Sequence, residues 1–166
     1  MEPSEPVRIL LVDDNEPFRR FVSTVLRKMP NLQVIGEEQD GFGAVRQSGA
    51  LQPDVILLDI GLPGINGFEA ARKIREVAAK AKIVFLTQES SPELVDEAFR
   101  LGARGYVVKA QAGSELLAAV EVVSRGARFA SKGLNGHHGT FELSGDSGKR
   151  PATAVERAKS ESKVSR

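Results

Sequence analysis

Strand-length apolar runs alternate with helix-period segments five times between Val7 and Ser124, and this alternation constrains the fold more than any other feature. Val7–Val12 is apolar except for Arg8 and predicts a strand covered on both faces. Asn15–Met29 places Phe18, Phe21, Val22, Val25 and Leu26 on one helical face. Pro17 sits early in that helix, where it is tolerated, and Pro30-Asn31 ends it. Leu32–Glu37 predicts a half-exposed strand, Ala44–Leu51 a short helix and Asp54–Leu58 a third strand. A loop with Gly61, Pro63, Gly64 and Gly67 leads to a helix over Phe68–Ala79, then a strand over Lys82–Leu86. Ser90-Ser91-Pro92-Glu93 opens a fourth helix that runs to Leu101, with Gly102 as its C-terminal cap. Gly105–Val108 is a fifth strand and Ser114–Ser124 a fifth helix. Parallel neighbours need helix-length crossovers, so the chain predicts one α/β domain: a doubly wound, five-stranded parallel sheet with helices on both faces.

Composition narrows the function classes. Among 166 residues the formal net charge is +1, so no global field points to nucleic acid or membrane. The absence of cysteine excludes disulfides, thiolate metal sites and thiol nucleophiles. The first six residues lack the pattern of a signal peptide, and no apolar run approaches spanning length, so the expectation is a cytoplasmic protein with no membrane partner. From Lys132 the character changes. Residues 132–166 hold seven Lys/Arg and four Asp/Glu among many glycines and serines, against sixteen and eighteen in residues 1–131. The expected division is a domain over 6–131 and a flexible, Gly/Ser-rich basic tail over 132–166. His137 and His138 in that tail are read as solvated.

In a doubly wound sheet, ligands sit beyond the carboxyl ends of the strands. The residues there are chemically matched. The first strand ends in Asp13-Asp14, the third in Asp59, the fourth in Thr87 and the fifth in Lys109. Carboxylates about 4 Å apart repel by roughly 4 kcal/mol at an effective dielectric of 20. Lys109 offers one positive charge, and a hard divalent cation such as Mg²⁺ suits the remaining all-oxygen set. A carboxylate can attack phosphorus, an ammonium and a metal can neutralise phosphoryl oxygens, and a hydroxyl can bond one of them afterwards. Asp59, alone at the end of a buried strand and flanked by small residues, is the natural nucleophile. Read singly, each residue has an ordinary role: Asp14 or Asp59 as a cap, Thr87 as a β-branched strand end, Lys109 as a solvated lysine.

The stretches Ile9-Leu10-Leu11-Val12-Asp13-Asp14-Asn15, Asp54 to Gly67, Lys82 to Thr87 and Gly102 to Ala110 resemble the receiver domain of two-component response regulators. The Gly105-Tyr106-Val107-Val108-Lys109-Ala110 ending is most similar to the NarL/FixJ-type branch. The resemblance spans about residues 6–129. It implies a flavodoxin-like strand order of 2-1-3-4-5 and a signalling module that is no enzyme beyond its own phosphorylation and dephosphorylation. It implies phosphorylation of Asp59 by a histidine kinase or phosphotransfer protein. Mg²⁺ would be held by Asp13, Asp14, Asp59 and the Gly61 carbonyl, and Thr87 and Lys109 would contact the phosphoryl group. Thr87 and Tyr106 would switch, altering partner binding on the face of the fourth helix, fifth strand and fifth helix, with homodimerisation on phosphorylation as one outcome. Read from the residue alone, Tyr106 is a half-buried aromatic on an edge strand.

Departures from the family pattern carry expectations of their own. Gln88 stands where a smaller residue is usual and is expected to narrow access to Asp59. Gly61 and Glu89 occupy positions that tune hydrolysis of the acyl phosphate. Ala110 replaces a frequent proline, which leaves the geometry of the Lys109–Ala110 peptide open. Only 35 residues follow Ser131, with no helix-turn-helix pattern, so the expectation is a stand-alone receiver without a DNA-binding domain. The alternative is a phosphorylation-independent interaction module with the same fold.

Overall fold

The computed structural model describes residues 5–134 and, as backbone, residues 140–141. In chain order the elements are β1 Val7–Val12, α1 Glu16–Arg27, β2 Leu32–Glu38, α2 Gly41–Leu51, β3 Val55–Leu58, α3 Gly67–Val77, β4 Lys82–Thr87, α4 Pro92–Arg100, β5 Gly105–Val108, α5 Ala112–Ser124, β6 Arg128–Ala130 and β7 Thr140–Phe141. A 3₁₀ turn, Lys109–Gln111, joins β5 to α5. The strands lie in the order β2-β1-β3-β4-β5-β6-β7. All neighbours pair in parallel except β6 and β7, which are antiparallel.

Strand periodicity sorts the core into two layers. Leu10, Val12, Ile56, Leu58, Phe85 and Tyr106 face α2, α3 and α4. Ile9, Leu11, Val55, Leu57, Val84, Leu86 and Val107 face α1 and α5. Because side chains alternate along a strand, a one-residue slip would exchange the two layers, and the register is correspondingly fixed. At the carboxyl ends, Val12 pairs with Leu58 and Thr87 with Val108. The next residues of β1, β3 and β5 are therefore Asp13, Asp59 and Lys109, all on one rim. The chain leaves β1 toward β2 on one side and returns to β3 on the other, so the crevice opens between the ends of β1 and β3.

The expected five-stranded order is present, extended at one edge. β6, unforeseen in the sequence reading, pairs with β5 through Gly105 with Phe129 and Tyr106 with Ala130. β5 is thus an interior strand, and Tyr106 is fully buried rather than half-buried at an edge. Helix α2 starts three residues before the expected Ala44, because Asp40 caps it by accepting from the Gly43 N–H at 2.7 Å. Leu134 is buried in the layer that contains Tyr106 and Ala130. Of the tail expected from Lys132 onward, residues 132–134 and the β7 backbone are described, and the rest, with His137 and His138, lies outside the described residues.

Candidate functional site

Asp13 and Asp59 are carried side by side at the ends of β1 and β3, and the Asp59 N–H donates to the Val12 carbonyl at 3.1 Å. Asp13 is 1% exposed and Asp59 6%, whereas Asp14 is open to solvent. Carboxylate oxygens of Asp13, Asp14 and Asp59 lie within 4.8 Å of one another, a spacing one cation can bridge. Lys109 Nζ reaches in from the end of β5, 2.8 Å from Asp13 Oδ2 and 3.4 Å from Asp59 Oδ2. One ammonium thus faces three carboxylates, and the pocket keeps an excess of negative charge.

The aspartates are not needed as helix caps. Asn15 caps α1 by accepting from the Phe18 N–H at 2.9 Å, and Asn66 caps α3 by accepting from the Glu69 N–H at 3.0 Å. Asp13 Oδ1 accepts the Asn15 N–H at 2.8 Å, and Asp59 Oδ1 accepts the Gly61 N–H at 3.2 Å. These bonds orient the carboxylates toward the crevice. Burial raises the pKa of Asp59 above the ordinary carboxylate value, and repulsion from Asp13 pushes the same way. Lys109 and the Gly61 N–H oppose the rise without cancelling it.

Two glycines shape the loop after β3 in different ways. A Cβ on Gly67 would lie 2.2 Å from the Asp59 carbonyl oxygen, so only glycine lets α3 begin against the backbone of Asp59. Gly61 is unlike it, since a Cβ there would meet nothing within 4 Å. A side chain at 61 would project into open space beside the carboxylate.

Thr87, Gln88 and Glu89 line the same cavity as Asp14, Asp59, Gly61 and Lys109, a space of about 760 Å³. A second cleft of about 570 Å³ lies on the other side of Gln88 and Lys109, against Pro17, Phe18 and Phe21. Gln88 and Lys109 line both clefts and so stand between them. Thr87, buried at the end of β4, accepts the Glu89 N–H at 3.3 Å. The Tyr106 hydroxyl donates to the Glu89 carbonyl at 2.7 Å. Tyr106 is not among the cavity's lining residues and reaches the site through Glu89. Burial, with the Glu89 carboxylate adding to it, raises the pKa of its phenol.

Phe18 and Arg19, which the strand-end pattern does not mark, also reach the site. The Phe18 ring lies 4.7 Å from Lys109 Nζ and presents its face to the ammonium. Arg19 Nη1 donates to the Asp13 carbonyl at 2.6 Å while its Nε pairs with Glu37 at 3.2 Å. Their positions just after Asp13-Asp14, within the first turn of α1, were the available signal. The Lys109–Ala110 peptide is trans.

A parallel sheet with three carboxylates and a lysine on its carboxyl rim defines a class of signalling module. The chain belongs to the response regulator receiver domain family, whose model matches residues 9–121. It is 34% identical over 134 residues to the nitrate/nitrite response regulator protein NarL of Escherichia coli K12, covering 81% of this chain and 62% of that protein. The chain therefore spans less than two thirds of that curated relative. A LuxR-family two-component response regulator from Aurantimonas sp. SI85-9A1 superposes with a TM-score of 0.72 at 28% identity, covering 96% of this chain and 99% of the other. The signal receiver domain of the response regulator NarL from Mycobacterium tuberculosis gives 0.70 at 31% identity, covering 74% and 99%. No helix among the described residues is long and apolar enough to cross a membrane.

Proposed function

We propose that this protein is a phosphorylatable receiver in a two-component system, in which Asp59 accepts a phosphoryl group from a histidine kinase or phosphotransfer protein. The observation that carries the reading is the meeting of Asp13, Asp14 and Asp59 with Lys109 on one rim. Three carboxylates against one ammonium fit a divalent cation, and the all-oxygen donor set fits Mg²⁺. Asp13, Asp14 and Asp59 would hold it, with the Gly61 carbonyl. Bound there, Mg²⁺ would supply positive charge to neutralise phosphoryl oxygens.

The chain's own residues supply the rest. An Asp59 carboxylate oxygen attacks phosphorus, an O–P bond forms, and the donor departs with the electrons of the broken bond. Lys109 Nζ, already 3.4 Å from Asp59, follows the developing charge on the phosphoryl group. Thr87, at the end of β4, turns its hydroxyl to a phosphoryl oxygen. That turn breaks its bond with the Glu89 N–H and frees the loop that Tyr106 holds. The loop and the face of α4, β5 and α5 then change together, with β6 as part of that face, and partner affinity changes with them. Gln88, between the two clefts, restricts the approach of donors, and Gly61 and Glu89 set the exposure of the acyl phosphate to water. Residues 6–131 form the receiver and residues 132–166 follow as a tail, with a cytoplasmic setting and a protein partner.

Intact-protein mass spectrometry after incubation with acetyl phosphate and Mg²⁺ tests this. One phosphoryl increment is expected, absent in Asp59→Asn and absent without Mg²⁺. An increment that persists in Asp59→Asn refutes the assignment.

A further inference from the structure

The turn that carries Lys109 is held at its two ends by two consecutive residues, one at each end. The Val108 N–H, immediately before Lys109, donates to Ser131 Oγ at 2.9 Å. Gln111 Nε2, at the end of the turn, donates to the Lys132 carbonyl at 3.2 Å. Ser131 and Lys132 are in turn fixed by Glu115. The Ser131 hydroxyl donates to Glu115 Oε1 at 2.6 Å, and the Lys132 N–H donates to Glu115 Oε2 at 3.1 Å. Ser131 is fully buried, and Glu115 is 8% exposed.

Closing the sheet edge does not require this carboxylate. The Ser131 N–H already continues the ladder by donating to the Tyr106 carbonyl at 2.9 Å. Burying a carboxylate costs free energy unless donors meet it. Here a hydroxyl and a backbone N–H do so, in the first turn of α5, where the helix dipole favours negative charge. What Glu115 adds is direction. A serine hydroxyl rotates freely, and a carboxylate that accepts its hydrogen bond leaves an oxygen lone pair turned to the Val108 N–H. The pair therefore fixes the backbone from which Lys109 reaches Asp13 and Asp59.

We propose that Ser131, oriented by Glu115, is a positioning residue for Lys109 in phosphoryl transfer. The proposal rests on the reading of Asp59 as the phosphoryl acceptor. The acids follow the ends of β1 and β3, away from this clamp, so loosening the clamp displaces the ammonium and leaves the cation ligands in place. Binding of a phosphoryl mimic and tightening of the clamp are reciprocal.

The test uses the full chain as wild type, Ser131→Ala, Ser131→Thr and Glu115→Gln. Calorimetry measures the affinity for Mg²⁺ alone, then for beryllium fluoride in saturating Mg²⁺, and mass spectrometry follows phosphorylation by acetyl phosphate. Ser131→Ala is expected to weaken beryllium fluoride binding and slow phosphorylation by about tenfold, the scale of a small misplacement. Its Mg²⁺ affinity should not fall, since a displaced ammonium competes less with the cation for Asp13 and Asp59, and Ser131→Thr should restore both readouts. Glu115→Gln keeps one acceptor and should give a smaller loss. It serves as the test if Ser131→Ala does not fold. Wild-type beryllium fluoride affinity in Ser131→Ala overturns the proposal, as does a parallel loss of Mg²⁺ affinity, which would mark general loosening. A wild-type protein that neither binds beryllium fluoride nor gains a phosphoryl group would overturn the Asp59 reading itself, and this inference with it.

Discussion

Replacing Asp59 by asparagine should make the metal-free protein more stable at neutral pH. Burial raises the Asp59 pKa, so the native state favours the protonated form more than the unfolded chain does. The stability linked to this group is complete below the ordinary value of 3.8 and is lost as pH rises through the higher folded value. At pH 7 the charged side chain therefore opposes folding. Its interaction with Asp13, at no more than 4.8 Å, costs about 3.5 kcal/mol at an effective dielectric of 20. Exposed Asp14 adds less because water screens it. Lys109 at 3.4 Å returns about 4.9 kcal/mol on the same scale. The Coulomb contributions nearly cancel, and desolvation of a buried carboxylate remains. Asparagine has the same outline without the charge, and Lys109 keeps Asp13 at 2.8 Å, so no cation is stranded. The expected gain is about 1–2 kcal/mol, the scale on which single substitutions commonly act. For a domain of this size it raises Tm by about 4–8 °C. Thermal unfolding of both proteins in EDTA, from pH 7 downward, measures it. The advantage should shrink as pH falls, and Mg²⁺ should raise the Tm of wild type more than that of the variant. An Asp59→Asn protein less stable at pH 7, or an advantage that grows toward low pH, would refute the reasoning.

Gln88→Ala should be phosphorylated by acetyl phosphate several-fold faster than wild type, since Gln88 stands between the clefts, and equal initial rates would remove its gating role. Gly67→Ala should lose about 3 kcal/mol or more, because its Cβ would lie 2.2 Å from a backbone oxygen that cannot retreat; denaturant unfolding measures the loss. Tyr106 is the single tyrosine, so an ultraviolet titration reads it alone. Its onset should lie above that of the unfolded chain. Because the folded phenol pKa is raised, stability should fall as pH climbs through the ordinary tyrosine range toward the folded value. Tyr106→Phe should cost about 1 kcal/mol through loss of the bond to the Glu89 carbonyl, measured in the same unfolding assay.

The candidate site was legible because strand ends are legible. Where the apolar runs ending at Val12, Leu58 and Val108 stop, the next residue falls on the rim of a parallel sheet, and reading those positions yields Asp13, Asp59 and Lys109. Local propensity hid other features. Gly41 and Gly43 disfavour the helix they occupy, so α2 looked shorter than its Asp40 cap makes it. β6 has three residues, too few for any periodicity, and it exists because the edge of β5 offers it partners. The burial of Tyr106 follows from β6 and so could not be read before it. The Glu115–Ser131 bond joins residues sixteen apart in sequence, and no spacing rule links a helix carboxylate to a hydroxyl beyond the helix end.

The division of labour among the caps bears on how such a chain would drift. Asn15, Asp40, Asn66 and Ser91 start α1 to α4. Asp14 and Asp59 are relieved of that task. A lineage that ceased to use this pocket could exchange Asp59 for a neutral residue, keep every one of these helix starts and gain stability by doing so. The acid cluster is therefore the part of this molecule that folding alone would erase first.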